Sequence, residues 1–310
     1  MKVAILGRTE ILYDTTLLLQ KMGYEIGCII TSKEAPEYSR TSKDFEALAN
    51  SLNCPFLHSS NIEKVEEFIE QLPTMEICVS INYTGVIPES IINLFNIGIL
   101  NAHGGDLPKY RGNACVAWAI INGEEKIGLC IHKMIGGELD SGNIIERDYY
   151  PVTIKTTITE VFNWMNIRTV ELFVEAVKKL EKDANYQIEV QSKDSLNALR
   201  GYPRLPEDGQ INWSSSNIVV QRLINASNKP FSGAFTYFEG KKIIVWDAEI
   251  VEEYENYLAI AGQVTKINSD SIEVATGEGK IRIKTIEIEG NITSPNTVIK
   301  SIRKRLTNHQ

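Results

Sequence analysis

Hydrophobic residues along the first hundred positions fall into two alternating rhythms. Continuous apolar runs, "KVAILG", "YEIGCIIT", "MEICVSIN" and "IGILNAH", read as buried strands. Between them, "LYDTTLLLQKMG" (closed by Gly23), "SKDFEALANSLN", "VEEFIEQLP" and "PESIINLF" space their apolar positions three or four apart, as amphipathic helices do. This βαβα order predicts a parallel-rich sheet with helices on both faces, whose ligands bind beyond the carboxyl ends of the strands. "IGLCIHKM" continues the strands, turning Leu129, Ile131 and Lys133 one way and Cys130, His132 and Met134 the other. A glycine-rich loop and a further strand follow in "IGGELDSGNIIERDYYPV". Residues 156–182 form a long amphipathic helix, with Thr157 or Thr159 as cap and Glu160 in its first turn.

The grammar changes near residue 200. "GYPRLPEDGQINW" is rich in turn formers and reads as a linker. One helix, "SSNIVVQRLINA", precedes short alternating strands, "GAFTYFEGKKIIVWDAEIV", "GQVTKIN", "SIEVAT" and "GKIRIKTIEI", which predict a small barrel. The stretch "SPNTVIKSIRKRL" is predicted as a final helix carrying Lys300, Arg303, Lys304 and Arg305 on one face. Domains are therefore expected at 1–200 and 201–310.

Composition narrows the function. A net charge of −8 over 310 residues argues against nucleic acid as the main partner, since phosphate binding needs a basic face. The barrel region, 206–310, holds 12 Lys and Arg against 13 Asp and Glu. Five dispersed cysteines with no CxxC spacing read as reduced thiols rather than a disulfide frame or zinc site. There is no signal-peptide pattern and no apolar stretch of membrane-spanning length, so a cytoplasmic protein is expected. The first strand–helix loop, "GRTEIL", lacks GxGxxG, which excludes a typical nicotinamide dehydrogenase site.

The candidate chemistry lies in "NAHGGDLPKYRGN". Asn101 and His103 end a strand, and Asp140 lies in a loop between the next two. A carboxylate near an imidazole fixes its tautomer and favours its charged form, and an asparagine amide donates without titrating. Such a trio can stabilise an oxyanion and move a proton. No nucleophile elbow accompanies it, which favours direct attack by a substrate. The residues alone equally allow a structural histidine, a turn aspartate before Ser141-Gly142, and glycines at 104 and 105 that merely free the backbone.

The stretch resembles the folate-dependent formyltransferase family, whose motif reads Asn-x-His-x-Ser-x-Leu-Pro followed by a basic residue and glycine. Asn101, His103, Leu107, Pro108, Lys109, Arg111 and Gly112 are in register, and Asp140-Ser141-Gly142 matches the family's Asp-x-Gly loop. "PEDGQINW" and "RLINASNKPFSGAFTYFEGKKIIVWDAE" resemble the family's C-terminal module, so the likeness spans nearly the whole chain. The motif serine is Gly105 here, with Asp106 after it, and Ser232 replaces a proline of that module. The resemblance implies a Rossmann-like formyltransferase domain followed by an OB-like barrel, with 10-formyltetrahydrofolate as formyl donor. It implies Asn101 and protonated His103 on the oxyanion, with Asp140 accepting the amine proton. It places the folate against Tyr83, Thr84, Gly85, Val86 and Ile87, and against Leu139 and Asp140.

Two acceptors fit this plan. "NAHGGDLPKYRGNACVAWAIINGE" resembles most the branch acting on nucleotide-linked amino sugars in surface-polysaccharide synthesis. A sugar diphosphate needs only a few local cations, for which Arg8, Lys109, Arg111 and Arg204 are candidates, with Tyr110 to pack a sugar or base. The alternative is a methionyl-tRNA formyltransferase, against which the acidic barrel region argues. A folate-binding protein without catalysis is the third reading. A glycinamide transformylase would not carry the second module. The family resemblance also implies a homodimer.

Overall fold

The computed structural model describes residues 1–35, 38–192 and 194–308. Its elements follow the chain as β1 (Lys2–Gly7), α1 (Glu10–Lys21), β2 (Glu25–Thr31), α2 (Ser42–Ser51), β3 (Phe56–His58), α3 (Ile62–Glu70), β4 (Met75–Ile81), α4 (Glu89–Ile92) and β5 (Phe95–His103). Then come β6 (Arg111–Gly112), α5 (Cys115–Asn122), β7 (Lys126–Lys133), β8 (Ile144–Pro151), α6 (Ile158–Lys182) and β9 (Arg200–Gly201). The remainder holds α7 (Asn217–Ala226), β10 (Ala234–Phe238), β11 (Lys241–Ile250), β12 (Val264–Ile267), β13 (Ile272–Ala275), β14 (Lys280–Ile288) and β15 (Asn291–Thr293). Helix boundaries follow local caps. Thr41 and Asp44 form a capping box on α2, Asn61 caps α3, and Thr157 with Glu160 caps α6 reciprocally.

The chain divides into two compact units whose segments interleave in sequence: residues 1–112, 127–150 and 163–201, and residues 113–126, 151–162 and 202–310. In the first, seven strands lie in the order β3-β2-β1-β4-β5-β7-β8. The five strands from β3 to β5 are parallel, and β7 runs antiparallel to β5. Val3, Ile5, Ile29, Ile77, Val79 and Leu100 are buried on the face covered by Leu172, Phe173, Ala176, Val177 and Leu180 of α6. Ala4, Leu6, Cys28, Ile30 and Cys78 pack on the other face against Val65 and Ile69 of α3 and Ile91 and Ile92 of α4. Both faces being dry explains why these strands read as unbroken apolar runs. None of the five cysteines is in a disulfide. Among the described residues no helix is long and apolar enough to cross a membrane.

The rim at the carboxyl ends of β1 and β4 is tied together by backbone. Gly7 (φ +138) lies so close to β4 that a Cβ there would stand 2.0 Å from the Ile81 carbonyl oxygen. Thr9, at φ 105, is held in a conformation costly for a β-branched residue while its hydroxyl caps α1.

In the second unit the strand order is β10-β11-β14-β13-β12, with β15 pairing β14, all antiparallel. The predicted terminal helix over 294–306 is absent: only a short 3-10 turn, Pro295–Thr297, forms. Instead, residues 304–307 run extended between the two edges of the sheet. The N–H groups of Val264 and Leu306 donate to the carbonyls of Lys304 and Gly262 on one side, and Thr307 and Tyr237 exchange both backbone bonds at 2.9 Å on the other. Ile299 and Leu306 are buried with Ile211, Trp213 and the inward residues of the strands. Strand closure and core burial here outweigh local helical preference. The basic face expected on that helix does not exist.

Replacing Leu306 by Ala is expected to destabilise this unit by about 3 kcal/mol, through lost burial and an unfilled cavity. Urea unfolding followed by tryptophan fluorescence checks this. An unchanged midpoint would mean the closing segment contributes nothing.

Candidate active site

The site grows from one pairing. Asn101 and His103 project from the same face of β5, two residues apart, and antiparallel β7 places His132 opposite Asn101 and Cys130 opposite His103. His132 thereby enters the site, with its side chain 2% exposed. Its role is missing from the sequence reading, although its strand face was assigned. The signal needed was the antiparallel register of two strands that are not consecutive in the sheet's parallel grammar.

Asp140 joins them from the β7–β8 loop. It adopts a left-handed conformation, φ +51, and is buried. Its carboxylate lies between both imidazoles: Oδ2 is 3.5 Å from His103 Nδ1, and Oδ1 is 3.5 Å from His132 Nε2. The amide of Asn101 stands 3.4 Å from that same His132 Nε2. Asn101, His132, Asp140 and His103 thus form one continuous chain. The backbone N–H of Gly112 donates to Asp140 Oδ2 at 2.9 Å. The buried amide of Gln191 holds the loop by donating to the carbonyls of Asp140 and Gly142, at 2.9 and 2.7 Å.

Hydrogen-bond chemistry assigns the protons. A carbonyl only accepts, so His103 Nε2, 2.5 Å from the Tyr110 carbonyl, and His132 Nδ1, 2.9 Å from the Lys133 carbonyl, each carry hydrogen. His132 Nε2 faces a donor in Asn101 and an acceptor in Asp140. Unprotonated, it accepts from the amide; protonated, it donates to the carboxylate.

Burial raises the carboxyl pKa of Asp140, but the His132 hydrogen bond, the His103 and His132 charges and the Gly112 N–H outweigh it, leaving about 2. Burial also lowers His103, only partly offset by Asp140 and the Tyr110 carbonyl. His103 therefore rests neutral at neutral pH, not protonated as the sequence reading expected. Asp140 stays ionised there and is a weak base.

The other candidates are distributed as follows. Arg111 donates from Nε and Nη2 to Gln191 Oε1, at 3.3 and 2.7 Å, so it braces the amide that braces the Asp140 loop. Arg8 donates to the carbonyls of Asn82 and Lys33, joining the rims of β4 and β2. Tyr110 is buried, and its carbonyl meets His103. Lys109 is exposed. Arg204 belongs to the second unit, where it donates to Asp208 and Ser227 and lies over the Trp118 ring. Tyr83 is half-buried and donates its hydroxyl to the Ser59 carbonyl, Ile87 is in the core, and Gly85 packs on Ile62. Thr84 is exposed, and Val86 and Leu139 are apolar yet 78% and 46% exposed, in the two segments expected to meet a folate.

Two family models match this chain: formyl transferase over residues 1–177, and the formyl transferase C-terminal domain over 205–302. The chain belongs to the formyl transferase family. It is 29% identical to a methionyl-tRNA formyltransferase of Acetivibrio thermocellus, over 94% of this chain and 93% of that one. Among solved structures, it resembles the sugar 3N-formyl transferase WlaRD, with TM-score 0.67 and 17% identity, covering 94% of this chain and 98% of the other. The N-formyltransferase of Helicobacter canadensis, solved with folinic acid and dTDP-3-aminofucose, gives TM-score 0.67 and 16% identity over 92% and 99%. These likenesses place the same fold beneath the site.

Because folding lowers the Asp140 pKa, the unfolded chain binds the extra proton first as pH falls. The group's contribution, roughly 2 kcal/mol, is full above its unfolded pKa and is lost as pH drops from about 4 towards 2. In Asp140→Asn that part of the acid dependence of unfolding is expected to vanish. Denaturation curves across this window check it, and an unchanged acid slope would contradict the buried pairing.

Proposed function

We propose that this protein transfers a formyl group from 10-formyltetrahydrofolate to the primary amine of a nucleotide-linked amino sugar. The observation carrying the transfer chemistry is the Asn101–His132–Asp140–His103 chain at the carboxyl end of the sheet of a formyl transferase. It holds a neutral donor, a neutral base and a fixed anion, and needs no covalent nucleophile.

The residues divide the reaction among them. The amine nitrogen attacks the formyl carbon and a C–N bond forms. The carbonyl oxygen gains the electron pair as an oxyanion, which the Asn101 amide stabilises by donation. His103, neutral through burial, takes the ammonium proton, and the adjacent Asp140 carboxylate stabilises the imidazolium. Collapse of the intermediate breaks the bond to the folate nitrogen, and His103 returns the proton to it, so tetrahydrofolate leaves as a secondary amine. His132 keeps the Asn101 amide and Asp140 in register. The exposed apolar side chains of Val86 and Leu139 suit the face of a pteridine ring.

Charge favours a sugar nucleotide over tRNA. Several of the barrel's cations pair with its own carboxylates: Arg282 with Glu249 and Glu273, Lys284 with Glu249, Lys241 with Glu289, and Lys304 with Glu239. A polyphosphate would have to displace those partners. The tRNA reading rests on the curated relatives, which match at 25–29% identity over 94% of the chain as methionyl-tRNA formyltransferases. The sugar reading carries with it a place in polysaccharide synthesis, beside the cytoplasmic location read from the sequence and the homodimer that the family resemblance implies.

Mass spectrometry of reactions containing 10-formyltetrahydrofolate, amino-sugar nucleotides and methionyl-tRNA decides the acceptor. One formyl group on a sugar is the expected result, and formylation of tRNA alone overturns it. With the true acceptor, His103→Ala and Asp140→Asn are each expected to lower kcat by about 10²–10⁴ while folate binding changes little. Near-normal turnover in Asp140→Asn would remove the anion from the mechanism.

A further inference from the structure

Gly105, where the family motif has serine, and Asp106 after it lie in the loop that meets His103. A Cβ at position 105 would stand 2.4 Å from the Tyr110 carbonyl oxygen and 2.6 Å from His103 Nε2. Only glycine lets that carbonyl come within 2.5 Å of the ring nitrogen. Tyr110 reaches it from a left-handed conformation, φ +58, which turns its carbonyl inward. The next residue anchors the loop. Asp106 Oδ1 accepts from the Tyr149 hydroxyl at 3.0 Å and lies 3.7 Å from Arg147 Nη1. Arg147 Nη2 donates to the Leu107 carbonyl at 2.6 Å, and its Nη1 pairs with Glu189 at 3.0 Å. On β7, Gly128 leaves room for the Asp106 backbone, since a Cβ there would be 2.7 Å from Asp106 Cα.

We propose that Gly105 and the Asp106–Tyr149–Arg147 clamp are positioning elements that press the Tyr110 carbonyl onto His103 Nε2, making Nδ1 the nitrogen that takes up the transferred proton. This rests on the formyl-transfer reading only for its catalytic consequence. A neutral imidazole has one N–H, and the carbonyl claims it at Nε2. Nδ1 is left with its lone pair facing Asp140 Oδ2 at 3.5 Å, an arrangement that turns attractive once a proton arrives there. The groups facing the ring are Asp140, His132 and the Tyr110 carbonyl, with Cys130 opposite on β7. None of the clamp residues needs to touch substrate.

The test reads the ring directly. Nitrogen-15 NMR of histidine-labelled protein, with His103 assigned by the loss of its signals in His103→Gln, reports tautomer and titration midpoint. The wild-type ring is expected as the Nε2–H tautomer at neutral pH; an Nδ1–H ring overturns the proposal outright. Gly105→Ala is expected to lose that preference and titrate at lower pH, because a bond favouring the cation is gone. Its kcat should fall about 100-fold at unchanged folate KM, as for a group misplaced by about 1 Å. The acid limb of its kcat profile should move down with the midpoint. Tyr149→Phe, which leaves the backbone of Gly105 untouched, is expected to act in the same direction, roughly tenfold. Either variant folded, with tautomer, midpoint and acid limb as in wild type, reduces the clamp to a structural role and overturns the proposal. The NMR arm needs no acceptor. A wild-type protein inactive with every amine would sink the functional reading while the tautomer still decides the positioning one.

Discussion

Placing an ionised carboxylate in a dry pocket is the constraint around which this site is organised. Desolvation alone would neutralise Asp140, so everything near it must favour the anion. Two imidazoles flank it, and a backbone N–H from Gly112 meets it directly. Its left-handed backbone, tolerable for aspartate, turns the side chain into the pocket. The Gln191 amide reads the carbonyls on either side of that turn, and Arg111 holds the amide. A Cβ on Gly142 would collide with the Lys133 carbonyl at 1.8 Å, so the loop can close on β7 only with glycine there. The basic turn at Arg111 and the glycine at 142 thus help to hold the anion in place.

The parallel half of the fold was legible because buried strands are continuous apolar runs and their helices carry caps. The trio Asn101, His103 and Asp140 was legible because each ends a strand or occupies a loop between strands. His132 was not, since an interior strand position becomes a site position only once the antiparallel register with β5 is known. Protonation was not legible either: the neutral state of His103 comes from burial, which spacing does not encode. The segment 294–306 failed for a related reason. Its apolar residues repeat at helical intervals, yet its partners, Tyr237 and Gly262, lie far back in the chain.

Arginine roles illustrate the same limit. Arg8 and Arg111 look from sequence like ligand cations, and in the folded chain both are spent on carbonyl and amide oxygens that hold loop ends together. Their charge still contributes to the potential at the rim, while part of their donor set holds the loops. In the barrel, carboxylates alternate with lysines and arginines along neighbouring strands, and cross-strand pairing neutralises them locally. A surface so arranged discriminates by shape and by a few uncommitted donors more than by bulk field.

The extended segment at 304–307 gives the barrel an order of events. Every other strand of that sheet can pair with a neighbour made shortly before or after it, whereas Thr236 and Thr307 join across 71 positions. Until that segment emerges from the ribosome, β12 and the part of β10 beyond its bridge to Gln210 remain open edges able to recruit strands from other nascent chains. Closure is therefore the pairing of highest sequence separation described in this sheet, the kind whose loop-closure entropy slows folding. Its completion separates a chain vulnerable to edge pairing from one whose hydrogen bonds are turned inward.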